Sequence, residues 1–220
     1  MRVQFLLFVL IHNLFIFNSE AQNNYLVSNF RAAPGKLLDL IEMLKSNVDN
    51  NIMRHSQGDH CDLMVIKPIQ DYSEVSNAKV LGTQLEPLVS YREDMFASGP
   101  SHSEFKTRFT KFSYYHIEMF VALAGKHSEL FKEREMENVY LKEIDRNDNL
   151  IFIKDLGSKY DMFTIGFYRD IKHYAESADI PLDKEDAAAK KAGFKGVNSI
   201  GIYLRELISE HHDTLAVKVK

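Results

Sequence analysis

The chain has 220 residues, with 27 Lys and Arg set against 31 Asp and Glu, a formal charge of −4 at pH 7. Such mild acidity gives no electrostatic reason to expect nucleic acid as a partner. The one cysteine, Cys61, excludes an intrachain disulfide, so stability has to come from a packed core, for which the length is ample.

Residues 1–22 open with Arg2, continue through an apolar run over residues 3–17, and offer Ser19 and Ala21 as the small residues a signal peptidase requires. The pattern predicts an export signal, residues 1–21, cleaved near Ala21 to release a secreted or periplasmic protein. Gln4, His12 and Asn13 interrupt the run, which falls short of the roughly 20 apolar residues of a membrane span, so the chain is not expected to cross a membrane. No Asn-x-Ser/Thr acceptor follows, which is compatible with a bacterial envelope.

Residues 25–32 read as a strand whose side chains alternate between two faces. After Gly35-Lys36, the spacing of Leu37, Ile41, Leu44 and Val48 predicts an amphipathic helix packed on a sheet. The apolar residues 61–69 predict a strand covered on both sides, and residues 84–96 a helix ended by Ser98-Gly99-Pro100. A strand over 115–122, a more charged helix over 127–144, and strands over 150–154 and 160–168 come next. Helices over 183–192 and 197–211 and a last strand over 214–219 complete the reading.

This order repeats. Residues 25–36 lie over 115–126 at an offset of 90, which matches Tyr25 with Tyr115, Phe30 with Phe120, Ala32 with Ala122, Gly35 with Gly125 and Lys36 with Lys126. At an offset of 99, Asp62 lies over Asp161, Ile66 over Ile165 and Asp71 over Asp170. The expected units are residues 22–114 and 115–220, packed as one domain. A β-α-β-β-α-β unit leaves one sheet face to bury, and two copies can bury each other's. The layout, with its Pro34-Gly35-Lys36 helix start and the Gly58-Asp59-His60-Cys61-Asp62-Leu63-Met64 strand start, resembles the dimeric α/β-barrel superfamily, in particular its exported members. The resemblance implies an α+β fold of tandem ferredoxin-like units that form an intrachain α/β barrel with helices outside, as a monomer or homodimer. It includes small-molecule monooxygenases, haem-handling proteins and modules without a known reaction, so it leaves the chemistry open.

No Gly-rich phosphate loop, serine-hydrolase elbow, His-Glu-x-x-His helix or Cys-x-x-Cys pair occurs. On the strand 115–122, His116, Glu118, Phe120 and Ala122 share one face and Ile117, Met119 and Val121 the other. The all-apolar face is expected to meet the helices. That turns His116 and Glu118 into the space between the sheets, as a catalytic proton-transfer pair. The expected ligand-binding lining adds Asp62 and Asp161, His60 two residues before Asp62, and His211 on the stripe of the last helix, beside His212 and Asp213. Each has a structural alternative: Asp62 and Asp161 as acceptors of turn N–H groups, His211 as an imidazole at a helix C-terminus, and His116 with Glu118 as a satisfied polar pair. Tyr25, Tyr115, Tyr160, Tyr168 and Tyr203, with Phe163 and Phe167, suit either core or a pocket for a flat ligand.

The leading expectation is an exported small-molecule-binding barrel, an oxidoreductase or lyase if it catalyses. The alternatives are a haem-binding protein, with His211 or His116 as proximal ligand, and a noncatalytic envelope interaction module. Haem or a divalent metal stays open as cofactor, since no motif calls for either.

Overall fold

The computed structural model describes residues 23–47, 49–57, 61–71, 73 and 84–220. The expected export signal and His60 lie outside the described residues. Eight strands, β1 (Asn23–Ala32), β2 (Asn51–Gln57), β3 (Leu63–Ile69), β4 (Val89–Gly99), β5 (Tyr114–Ala122), β6 (Leu150–Gly157), β7 (Met162–Tyr168) and β8 (Ile208–Lys218), close into a barrel in the order β1-β3-β2-β8-β5-β7-β6-β4. All of its strand pairs are antiparallel. Opened at the β2/β8 and β4/β6 seams, the ring yields two four-stranded sheets of the same internal order, β4-β1-β3-β2 and β8-β5-β7-β6. This is the ferredoxin-like order, present twice, as the internal repeat implied.

The sheet's inner face is one apolar cluster to which every strand contributes, among them Val27, Met53, Met64, Met95, Ile117, Phe152, Phe163 and Ala216. Phe152 and Phe163 stack with ring centroids 4.5 Å apart, and Tyr25 meets Phe152 edge-on. Helix α2 (His102–Lys111), started by the Ser101 hydroxyl accepting from the Glu104 N–H, brings Phe105 and Phe109 over one end of the barrel. The aromatic residues suggested as pocket lining are thus divided. Tyr25, Tyr115, Tyr160, Phe163 and Phe167 fill the interior, while Tyr203 packs among the helices.

The outer face carries the other helices. Helix α1 (Leu37–Lys45) packs Leu40, Ile41 and Leu44 on Phe30, Leu63 and Val65 of the first sheet. Helix α3 (His127–Glu143) lays Leu130 on Phe120 and Met162 of the second, and the short α6 (Ile200–Arg205) adds Leu204. Between them, α4 (Ile171–Ala175) and α5 (Leu182–Lys191) follow β7, and the small Ala188 and Ala189 let α5 approach Tyr140 of α3. Gly35 and Gly125 hold the same φ of +77° in the turns that launch α1 and α3, a conformation the missing Cβ permits.

Two expected helices prove to be strands for much of their length. Residues 84–96 keep only a short turn, Glu86–Leu88, before β4, because Met95 and Ala97 point into the core and the backbone pairs with both β1 and β6. Residues 197–211 end as a helix at Arg205, and β8 starts at Ile208, where pairing with β5 outweighs a weak helical period. The polar strand β2 and the helix α2 had no clear apolar period and were not expected.

The repeated aspartates clamp the ends of the paired strands. Asp62 accepts from the Ala32 N–H at 2.8 Å, and Asp161 from the Ala122 N–H at 3.0 Å. Their own N–H groups donate to the Phe30 and Phe120 carbonyls, each at 2.8 Å. Replacing Asp62 or Asp161 by Ala strands a backbone donor, so each variant is expected to lose about 1–3 kcal/mol of stability in urea denaturation, with the two losses adding in the double variant.

Candidate functional site

Strand β5 sets the site by its alternation. Tyr115, Ile117 and Met119 enter the barrel core, so His116, Glu118, Phe120 and Ala122 face α3 and its neighbours. This reverses the expected orientation: His116 and Glu118 lie between sheet and helices, not between the sheets. The interior takes the three apolar side chains because it is the drier space, closed by strands on all sides and by α2 at one end. Their side chains are only 16% and 11% exposed, so both lie beneath the helical layer and not on an outer face.

Beneath α3 the Glu118 carboxylate gathers its partners. His211 Nε2 lies 3.3 Å from Glu118 Oε1, the Thr164 hydroxyl donates to Oε2 at 3.3 Å, and the Arg134 guanidinium stands 3.8 Å away. His116 places Nδ1 4.0 Å from Glu118 and Nε2 2.7 Å from Asp213 Oδ1, with the Tyr174 ring 5.5 Å from its own. Arg134 lies over the face of Phe120, binds Glu133 through Nε and Nη2 at 2.6 and 2.8 Å, and pairs with Glu137 one turn on.

Three carboxylates therefore share one guanidinium, and burial forces an unequal division of charge. Burial alone would raise Glu118, but the His211 hydrogen bond and the charges of Arg134, His116 and His211 hold it down at about 2. Glu137, whose largest influence is burial, with Glu118 and Glu133 repelling its charge, is pushed up to about 7. Glu133 is also raised, chiefly by burial. Desolvation works against protonation of His116, yet its bond to Asp213 and the nearby Glu118 carboxylate raise its pKa above the ordinary 6.5. The result is an ionised Glu118 beside an imidazole of enhanced basicity.

The first unit offers an internal comparison. The offset of 90 places Leu26 and Ser28 at the positions of His116 and Glu118, and Met43 and Leu44 at those of Glu133 and Arg134. Asp94 faces Ser28 across its strand pair as Asp213 faces Glu118, and Arg92 lies over Phe30 where His211 stacks on Phe120. The same scaffold thus closes on Leu44 in one half and on a buried charge cluster in the other.

Among the residues expected in the site, the structure unites His116, Glu118 and His211. His211 reaches the cluster from β8 instead of from a helix. Asp62 and Asp161 are held in the strand clamps; Asp161 is bound to Ala122, which lies four residues along β5 from Glu118, roughly 13 Å away at strand rise, and Asp161 also pairs with Lys154. Arg134, Glu133 and Glu137 were not anticipated, although the signal was present. The helix of the second copy is charged where Met43, Leu44 and Asn47 stand in the first.

A haem would need an imidazole nitrogen facing a cavity wide enough for the macrocycle. His116 is bracketed by Asp213, Glu118 and Tyr174, and His211 is stacked on Phe120 at 4.9 Å. The grooves described around α3, of about 550, 490 and 330 Å³, are lined by neither. These residues do not fit haem. Nor do three or more His, Cys, Asp or Glu side chains among the described residues converge as metal ligands, and Arg134 already supplies the cation of the cluster. No helix among the described residues is long and apolar enough to cross a membrane.

Solved structures share this architecture almost end to end. An anthrone oxidase-like protein matches over 92% of this chain and 93% of its own, with a TM-score of 0.67 at 9% identity. The chain has the dimeric α/β-barrel fold, both units in one polypeptide. A candidate chlorite dismutase aligns with this barrel over 90% of the chain and 95% of its own length (TM-score 0.55, 12% identity). A candidate monooxygenase from Lactobacillus acidophilus NCFM does so over 90% and 94% (TM-score 0.51, 9% identity). At such identities the fold is what is shared. No sequence-family profile matches the barrel, and no curated protein matches it.

The raised Glu137 gives the barrel a pH signature. A carboxyl that prefers its proton in the folded state stabilises fully below its ordinary, unfolded value of 4.5 and loses that contribution as pH rises through about 7. The side chain keeps 22% of its surface exposed, so water screens part of the effect. Glu137→Gln is expected to melt close to wild type at pH 5 and to exceed it by about 1–2 kcal/mol at pH 8, measured by thermal unfolding across that range.

Proposed function

We propose that this protein is a small-molecule-binding α/β barrel of the oxidoreductase class, whose second unit carries a proton-transfer site centred on His116. The observation that carries the reading is the buried, ionised Glu118 beside His116, at a place where the first unit has Ser28 and Leu26. Isolated carboxylates are not retained under a helix without cost, and strongly shifted ionisable clusters concentrate at working sites. Asp213 holds Nε2 of the imidazole, Arg134 and His211 keep Glu118 charged, and Nδ1, 4.0 Å from Glu118 and outside hydrogen-bond range, is the ring atom left to take a proton from a small substrate. A lyase that removes a proton next to a carbonyl group would use the same base.

The name of the anthrone oxidase-like structure suggests a probe. Anthrone has an acidic carbon-bound proton that a neutral imidazole can accept, and the carbanion then reacts with dioxygen. Overall, anthrone and O2 give anthraquinone and water, with one oxygen retained in the new carbonyl and the other leaving as water. Wild-type protein is expected to accelerate anthraquinone formation in air, followed by absorbance. The rate should rise with pH through an apparent value above 6.5, which Glu118→Gln moves downward. His116→Asn should lower turnover about 100-fold or more, the usual scale for loss of a general base; turnover equal to wild type would sink the assignment.

Export belongs to the same proposal and rests on residues 1–22 alone. N-terminal sequencing of protein recovered from an expressing bacterium's envelope should begin at Gln22; retention of Met1 would remove it.

A further inference from the structure

On the flank of α3 away from Arg134, a second groove of about 490 Å³ opens between α3, the 193–199 loop and α6. Its apolar lining is Met136, Phe194, Ile202 and Tyr203, with Phe194 and Tyr203 edge to face at 6.5 Å. Lys132 and Lys195 stand at the same groove, and among the described residues neither enters an ion pair. Their near neighbours on the surface are engaged, Lys190 with Asp186 and Lys191 with Glu143. Glu206 is the one acidic lining residue, so two cations face one anion.

The groove is built by its loop. Gly193 ends α5 at a φ of +100°, and Met136 Cε lies 3.3 Å from where a Cβ would stand. The Phe194 N–H donates to the Ala189 carbonyl at 2.9 Å, and the Val197 N–H to Asp186 Oδ1 at 3.2 Å. These bonds seat Phe194 inward, 6% exposed, and leave Lys195 open to solvent. A pre-formed aromatic floor with a cationic edge is the complement of a flat apolar body that bears one negative charge. The groove between α3 and β6 differs in kind: its lysine, Lys142, is paired with Asp148, and Glu135 adds further negative charge.

We propose that the α3/α6 groove binds an aromatic carboxylate, with the ring system against Phe194 and Tyr203 and the carboxylate between Lys132 and Lys195. The site is separate from the His116 cluster and stands without the proposed chemistry there. The test uses 2-naphthoate and its neutral isostere 2-naphthamide, titrated calorimetrically into the full folded protein. 2-Naphthoate should bind at sub-millimolar concentration, at least about fivefold more tightly than the amide, and more weakly in high salt. Lys132→Glu/Lys195→Glu should weaken 2-naphthoate about tenfold or more, leave the amide nearly unchanged, and melt as wild type does, since both lysines are exposed. His116→Asn should bind 2-naphthoate as wild type does. Absence of binding at millimolar 2-naphthoate, equal affinity for acid and amide, an unaltered affinity in the double lysine variant, or loss of binding in His116→Asn would each overturn the proposal.

Discussion

The structure depends on the closure of two four-stranded sheets along two seams, β2 against β8 and β4 against β6. Either half alone would expose two edges with unpaired backbone groups and one apolar face. Joined, the halves remove the edges and convert the two faces into one interior. That interior is crowded with Phe152, Phe163, Tyr25 and Tyr115, so it is a filled core, and the buried charge cluster lies in the outer, helix-facing layer. The direction in which β5 turns His116 follows from this priority: the three apolar side chains on its opposite face take the enclosed side.

Duplication then allows one half to diverge while the other preserves the support. In the first unit, α1 meets the sheet through Leu44, Ile41 and Phe30, an interface whose stability comes from apolar burial. In the second, the corresponding place holds Arg134 and three carboxylates, which exact a desolvation cost that ion pairing offsets only in part. The unit compensates with further contacts: α3 is longer than α1, and α5 packs its alanines against the far side of α3. The cluster is therefore fixed on both flanks, which is what an ionisable site needs to keep its geometry through a change of charge.

Much of the architecture was legible in the sequence because the repeat supplied two readings of each element. Tyr25 with Tyr115 and Asp62 with Asp161 marked the strand starts, and the β-α-β-β-α-β order implied the barrel. The misread segments are those where pairing, not periodicity, decides. Strand β4 carries Arg92-Glu93-Asp94 within a stretch rich in helix formers, and β8 carries Glu210-His211-His212-Asp213, yet each is clasped between two partners. The site was half legible for a related reason. Alternation correctly put His116 and Glu118 on one face, but which face is interior depends on the far strands. Arg134 sits on a helix whose mixed charge gave no amphipathic stripe, and only the comparison with Leu44 would have singled it out.

The barrel's two seams differ in when they can form. The strands of the β4/β6 seam are both made by Gly157, but β2, complete at Gln57, has to wait for residues 215–218 of β8, a separation of about 160 residues along the chain. A contact that spans so much sequence carries a large loop-closure entropy and forms late. The last strand in chain order therefore acts as a latch: until it arrives, the Met53 to Gln57 edge and the outer edge of β5 remain available to other strands, including those of a second chain. Because the same segment pairs with β2 on one side and β5 on the other, its arrival closes both edges at once and completes the ring in a single step.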